Sequence, residues 1–467
     1  MSIDRRTFLR QAGRSLAAGA TMSTLGTLLP AFKARAAETD GYKALVCVFL
    51  YGGMDNHDVI IPYDQPSYDQ YSSIRAPLLD LYGSARSYDT LLPLNPLNSS
   101  DFGGRTFALP LEFSGIKSLF DSGNAAIVGN VGPLVQPLTR SEWENDTIAS
   151  PSRLFSHNDQ QSTWMGLRPE GSSVGWGGRF ADMAINSNAN TFEAFSAVSA
   201  SGNSLFLNGV SARPYPVTSN GGAEFGLLSE LATQGGPDAS ARYDAVRRFF
   251  SAGAADYNNL FERDIANANR NALLDNEAYN NAFRGAPELT TEFPGGLGEQ
   301  LRSVAQSISL KDSLGMKRQV FFVGVGGFDT HSGQTGSLPT LQRQVDGAIT
   351  SFFTSMEEMG LTNDVTLFTA SDFGRTLTVN GDGTDHGWGG HHFIIGGGVN
   401  GNQIYGDIPP SVLGHSQDAG NGRLIPSTSL QQFAAPMGRW FGLSDEELAQ
   451  ALPGLSNFES ELMPIFS

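Results

Sequence analysis

Ala44-Leu45-Val46-Cys47-Val48-Phe49-Leu50-Tyr51 runs without a polar break into Gly52-Gly53-Met54-Asp55. A strand with one face in water alternates apolar and polar residues; one covered on both faces is apolar throughout. The run therefore reads as a central parallel strand with helices on each side, and the two glycines as a tight turn at its carboxyl end. Shorter apolar runs repeat the pattern at residues 125–129, 319–325, 365–370 and 393–396. Helical stretches stand between them at 112–122 and 341–360, the latter with Leu341, Val345, Ile349, Phe352 and Phe353 at helical spacing. This alternation predicts an α/β fold around a doubly wound, mostly parallel sheet.

The stretch from about 185 to 315 is different. Residues 196–222 are rich in serine, asparagine and glycine with a β-like piece, Ser204-Leu205-Phe206-Leu207-Asn208, while 240–283 and 298–311 read as helical. It is expected to be a helical, loop-rich cap inserted into a single domain spanning 37–467. Near the C-terminus, 429–441 reads as a helix, followed by a second one with a Ser444/Glu447 capping box.

Residues 1–36 read as an export leader. Asp4-Arg5-Arg6-Thr7-Phe8-Leu9-Arg10 has the form of a twin-arginine motif, a mildly apolar stretch follows, and Ala34-Arg35-Ala36 suits a small-x-small cleavage site. The expected partner is the twin-arginine export machinery and the expected destination the periplasm or the outside of the cell. No later segment is long and apolar enough to span a bilayer. The whole chain carries a formal charge of −17; without 1–36, which holds six basic residues and one acid, 24 basic and 46 acidic residues remain, a charge of −22. Such a surface repels nucleic acid, and an anionic substrate would need a local positive site. Cys47 is the single cysteine, so disulfides and cysteine zinc sites are excluded; its apolar surroundings make it a packed thiol.

Six of the seven histidines fall in four short segments that also carry aspartates: Asp55-Asn56-His57-Asp58, Ser156-His157-Asn158-Asp159, Asp329-Thr330-His331, and Asp385-His386 through His391-His392. Imidazole and carboxylate are the usual ligands of a catalytic divalent ion. Ligands of doubly wound sheets collect beyond the carboxyl ends of the strands. Asp55, Asp329 with His331, and Asp372 each follow a strand, and His386, His391 and His392 precede the one expected at 393–396. These segments should converge on one sheet edge. Each has a plainer reading: Asp55 as a turn residue, Asp329 and His331 as a surface turn, Asp372 as a helix cap. Arg375 and Arg179 suit an anionic group or an ordinary ion pair, and Ser156 a nucleophile or an ordinary serine.

Taken together, the leader, Tyr51-Gly52-Gly53-Met54-Asp55, Ser156-His157, Gly327-Phe328-Asp329-Thr330-His331, Ser371-Asp372-Phe373-Gly374-Arg375-Thr376, Asp385-His386-Gly387 and Trp440-Phe441-Gly442-Leu443 resemble the domain-of-unknown-function 1501 family across essentially the whole mature chain. That family is similar to a distant branch of the alkaline phosphatase and sulfatase superfamily. The resemblance implies a central sheet, divalent metal and cleavage of phosphate or sulfate esters. It implies metal ligation by Asp55, Asp329, His331, Asp372 and His386, with His391 or His392 as alternatives to the last. The sequence departs from the superfamily in two places: Asp372-Phe373-Gly374 stands where Asp-His-Gly is usual, and the gap between Asp329 and His331 is short. No Cys-x-Pro-Ser-Arg motif is present, which excludes formylglycine chemistry.

The expectation is an exported, metal-dependent hydrolase of phosphate or sulfate esters on a small molecule, polysaccharide or lipid. Asp55, Asp329, His331, Asp372, His386 and His392 are its candidate ligands for zinc, magnesium, manganese or calcium. Ser156, His157 and Arg375 are its candidate catalytic residues. The competing expectation is a non-catalytic exported binding or assembly protein with a degenerate hydrolase site. A serine carboxylesterase is the weakest reading, since no Gly-x-Ser-x-Gly elbow exists.

Overall fold

Residues Ala44 to Leu50 are all buried, as a strand covered on both faces must be. The computed structural model describes residues 41–466 apart from 170, 223–225, 234, 235, 237, 253–258, 459 and 460; the leader read at 1–36 lies outside the described residues. In chain order the strands that matter are β1 (Lys43–Leu50), β2 (Ala125–Gly132), β3 (Ala197–Ser199), β4 (Tyr215–Thr218), β5 (Gly221–Gly222), β6 (Arg318–Val325), β7 (Val365–Ser371), β8 (Arg375–Asn380), β9 (Gly383–His386), β10 (Gly390–Ile395), β11 (Ile404–Gly406) and β12 (Thr428–Ser429). The central sheet runs β11-β2-β10-β7-β1-β6-β3-β4-β5, with β12 also on β2. Six of these nine pairings are parallel and three antiparallel, so the sheet is mixed but mostly parallel.

Alternate residues of β1 feed two different cores, because side chains on a strand point to opposite faces in turn. Ala44, Val46, Val48 and Leu50 pack with Leu301, Val304, Val345, Ile349 and Phe352. Leu45, Cys47 and Phe49 pack with Trp176, Phe180, Phe433 and Met437. Each fully buried side chain of this size contributes about 1.5–3 kcal/mol. The covering helices, counted with their neighbours in chain order, are α1 (Gln65–Tyr82), α2 (His157–Gly166), α3 (Trp176–Asn186), α4 (Ala239–Ser251), α5 (Leu260–Arg284), α6 (Gly295–Ser309), α7 (Gln334–Glu358), α8 (Leu430–Phe441) and α9 (Asp445–Ala451). Cys47 is the packed thiol its neighbours imply. The capping box on Ser444 and Glu447 is present, and a second one joins Ser429 to Gln432. Among the described residues, no helix is long and apolar enough to cross a membrane.

Several details differ from the sequence reading. The stretch 185–315 does more than cap the domain: β3 pairs with β6 and, with β4 and β5, extends the main sheet. Ser204-to-Asn208 is no strand; Leu205–Leu207 form a 3-10 turn in which the Ser204 hydroxyl accepts from the Phe206 N–H. The helix expected from 341 begins at Gln334, ahead of the first periodic apolar residues. The strand expected at 393–396 begins at Gly390, so His391 and His392 lie inside it.

Three parallel strands, β1, β6 and β7, end side by side at Leu50, Val325 and Ser371, with Leu50 in register with both Val325 and Ser371. The chain leaving each of them enters one edge of the sheet. β10 is antiparallel to β7, so the residues before its start arrive at that same edge. The β8–β9 hairpin, with Arg375 opposite His386, carries both residues there.

Candidate metal centre

Asp329 sits at the middle of this edge, four residues beyond β6. Its Oδ1 lies 3.2 Å from His386 Nε2 and 3.2 Å from His331 Nε2; its Oδ2 lies 3.4 Å from His157 Nε2. His331 and His386 face each other Nε2 to Nε2 at 2.9 Å. His157 opens α2, whereas His386 closes β9. One donor atom each from His157, Asp329 and His386 lies within 4.8 Å of the others. The side chains of Asp329 and His331 are 43% and 42% accessible, so the centre opens to solvent.

The outer nitrogens show why these rings point inward. His157 Nδ1 donates to Asp372 Oδ2 at 2.6 Å, and Gln161, one helical turn along α2, donates to the same oxygen at 2.9 Å. His386 Nδ1 donates to the Phe155 carbonyl at 2.8 Å, and His331 Nδ1 faces Asp385 Oδ1 at 3.2 Å. A ring whose Nδ1 carries the donated proton presents a lone pair at Nε2, the arrangement that fixes metal-binding histidines. Burial lowers the His386 pKa, with help from the Arg375 charge and against the Phe155 carbonyl, so its lone pair is available. Asp329 stays ionised: burial raises its pKa, but the Arg375 hydrogen bond and charge, with His331 and His157, hold it below the usual range.

A cation suits this set for two reasons. His157 Nε2 is buried without a hydrogen-bond partner, a costly state for a polar atom. The lone pairs of His331 and His386 would repel at 2.9 Å unless a proton or a metal lay between them. Phe373, which stands where the superfamily pattern has a histidine, lies against the rings of His386 and His157 at 4.5 and 4.9 Å between centroids, forming one wall of the centre.

The structure brings His157, Asp329, His331 and His386 together, with Asp372 and Arg375 one contact behind them. Other candidates lie elsewhere. Asp55 is fully buried in a bidentate pair with Arg75 at 2.5 and 2.9 Å, and it also accepts from Gln334. Burial raises its pKa, but Arg75 outweighs that and lowers it. Asp372 is buried; its Oδ2 meets His157, and its Oδ1 has no hydrogen-bond partner. His392 points into the core between Trp164 and Phe433. Arg375 donates to Asp329 at 2.8 Å, to the Gly52 carbonyl and to Thr384, so most of its donors are engaged within the protein. Arg179 donates to the Ala451 carbonyl. The Ser156 hydroxyl donates to Asp159 at 2.8 Å, which is an acceptor but no activating histidine.

Sequence reasoning did not single out Asp385, Gln161, Arg75 or the Phe155 carbonyl. Asp385 adjoins His386, and Gln161 stands four residues from His157 on a helix, so both had a spacing signal. A backbone carbonyl leaves none.

Residues 274–455 match the family described as "Protein of unknown function (DUF1501)". The match includes Asp329, His331, Asp372, Arg375, Asp385 and His386, but not His157. No curated protein matches by sequence. In fold the chain is similar to the lipoteichoic acid synthase LtaP from Listeria monocytogenes: 9% identity, 89% of this chain and 76% of that one covered, TM-score 0.32. It is also similar to the PsFucS1 sulfatase from Pseudoalteromonas sp.: 8% identity, 90% and 71% covered, TM-score 0.35. An alkaline phosphatase, a PafA mutant, shows 11% identity over 72% of this chain and 64% of its own, TM-score 0.24.

Proposed function

We propose that His157, Asp329, His331 and His386 hold a divalent metal ion and that the protein is an exported hydrolase of phosphate or sulfate esters. The observation that carries the metal reading is the convergence of three imidazole Nε2 atoms on one ionised carboxylate, each ring held from behind at Nδ1. Three nitrogens and a carboxylate suit zinc or another imidazole-binding transition ion better than magnesium or calcium, which take oxygen. A bound ion would supply Lewis acidity and offset negative charge on the ester oxygens.

The chain's own groups prepare the site. Arg375 orients Asp329 and keeps it ionised; Asp372 fixes the His157 tautomer; Phe373 shields one side from water. With Arg375 engaged, the substrate's anionic charge must meet the metal. With Ser156 held by Asp159, water is the attacking group in this reading. The ester hydrolase assignment rests on the resemblance of the motifs; the leader at 1–36 supports a periplasmic or extracellular location and a polysaccharide or lipid ester as substrate.

The second reading, an exported binding or assembly protein with a degenerate site, draws support from the same engagement of Ser156, Asp55 and Arg375. One experiment separates them. The mature chain is analysed for metal after zinc, manganese or magnesium reconstitution, then assayed on aryl phosphate, bis-aryl phosphate, aryl sulfate and aryl ester, with and without chelator. About one ion per chain and chelator-sensitive phosphate or sulfate release are expected, with metal affinity falling about 100-fold or more in Asp329→Ala. Failure to take up metal, or full uptake by Asp329→Ala, sinks the metal centre. Stoichiometric metal without hydrolysis supports the binding protein, and chelator-resistant release from the aryl ester alone the carboxylesterase.

A further inference from the structure

Two non-glycine residues, four and two positions before His157, adopt left-handed backbone conformations, Arg153 at φ 57° and Phe155 at φ 70°. Residues with a side chain avoid this region and hold it only where surrounding contacts dictate it. At Phe155 the unusual conformation accompanies a carbonyl turned to the Nδ1 of His386, at 2.8 Å. The contact that holds it there comes from a third segment. The Arg423 guanidinium lies over the Phe155 ring, 5.2 Å from its centroid, while its Nε donates to the His386 carbonyl at 2.8 Å.

The contacts close a ring. Arg423 holds the main chain of His386 and the side chain of Phe155; Phe155 holds the side chain of His386 with its own main chain. Arg423 in turn stands on a fixed turn. Asp418 accepts from the backbone N–H groups of Gly414, Gly420 and Gly422 at 2.7, 2.7 and 2.8 Å, and the Gly422 carbonyl meets His57 Nε2 at 3.1 Å. Three segments distant in sequence are thus locked by one guanidinium, and two of them deliver His157 and His386.

We infer that Arg423 is a positioning residue that clamps the strained 153–157 segment across His386, so that His157 and His386 are assembled before any ligand arrives. The inference rests on the metal reading for its consequence, but the clamp itself belongs to the metal-free protein. A stack of a guanidinium on an aromatic face together with a hydrogen bond needs the planar fork, which lysine lacks.

The test compares wild type, Arg423→Ala, Arg423→Lys and Phe155→Leu, the last removing the ring without touching the arginine. Amide hydrogen exchange on the metal-free proteins should show faster exchange confined to about residues 153–160 in Arg423→Ala and Phe155→Leu. Zinc affinity, measured by chelator competition, should fall about 10- to 100-fold with unchanged stoichiometry, the usual effect of losing a group that orients a ligand. Arg423→Lys should fall between. The double variant should lose little beyond Arg423→Ala, in which the ring contact is already broken. Wild-type exchange and wild-type affinity in both single variants would overturn the clamp. If wild type takes no zinc, the metal reading fails, and exchange at 153–160 alone decides the clamp: faster exchange sustains it and unchanged exchange ends it.

Discussion

Asp55 and Asp329 each follow a parallel strand and each meets a buried arginine, yet only Asp329 is placed to hold a metal. The difference lies in how many carboxylate oxygens the protein takes for itself. Arg75 grips both oxygens of Asp55, Gln334 adds a third hydrogen bond, and the side chain is fully shielded. Arg375 takes only Oδ1 of Asp329, whose side chain stays 43% accessible. At Asp55 the His57 backbone N–H takes the fourth acceptor site, so this carboxylate has no free lone pair left for a cation. Asp55→Asn should therefore leave Arg75 with an uncompensated buried charge and lower stability by about 3–5 kcal/mol. The protein that remains folded should bind the same amount of metal. Denaturant unfolding and metal analysis on the same preparation check both points. Normal stability with lost metal would make Asp55 a ligand after all.

The turns after the strands decide how tightly the edge can close. Gly52 follows β1 at φ 114°, and a Cβ there would stand 2.3 Å from the Asp329 backbone nitrogen. Only a residue without a side chain lets the β1 turn lie against the segment that carries Asp329. Gly52→Ala should cost stability through both strain and overlap, about 2 kcal/mol or more. It should also shift Asp329 and weaken zinc binding, whereas Gly41→Ala, at a positive φ of 71° but with nothing within 4 Å of its Cβ, should cost stability alone. Thermal unfolding and chelator competition on the two variants make the comparison; equal metal affinity in both would refute the close approach. The same elements show what the chain revealed in advance. β1, β6 and β7 were legible because a strand covered on both faces is an unbroken apolar run, and the rule that ligands gather at carboxyl ends then drew Asp329 and His331 to this edge; His386 was legible only as a residue ahead of the 393–396 run, and the β8–β9 hairpin that carries it was not. The direction of β10 left no mark, since a run buried on both faces reads alike either way, and His391 and His392 were placed outside a strand that contains them. Three-residue β3 is too short to show a period. Nor does spacing tell that Asp55 will pair with Arg75, twenty residues away on α1.

Across the whole molecule, charge and buried histidines pull stability in opposite directions as pH falls. The chain is strongly acidic, at −17 overall, so protonation relieves self-repulsion and on that ground alone favours the folded state. Against this stand His57, His391 and His392, all fully buried. Burial, aided at His57 by the Arg75 charge and at His391 by the neighbouring histidines, lowers their pKa values from 6.5 to about 4, about 3 and about 3. A group whose folded pKa is depressed contributes stability that is full above its unfolded pKa and is lost as pH falls toward the folded value. The window runs from about 6.5 down to about 4 for His57 and to about 3 for His391 and His392, and each histidine forfeits about 2 kcal/mol by pH 5. These losses are set in buried sites that salt does not screen, whereas the relief of surface repulsion is spread over exposed and screened charges. The melting temperature of the metal-free protein should therefore fall between pH 7.5 and 5. Replacing His392, which sits between the Trp164 and Phe433 rings, with phenylalanine should remove about a third of that dependence. Melting curves at half-unit pH steps, with chelator present throughout, measure it. A melting temperature that holds or rises toward pH 5 would mean that these histidines take up protons in the folded protein.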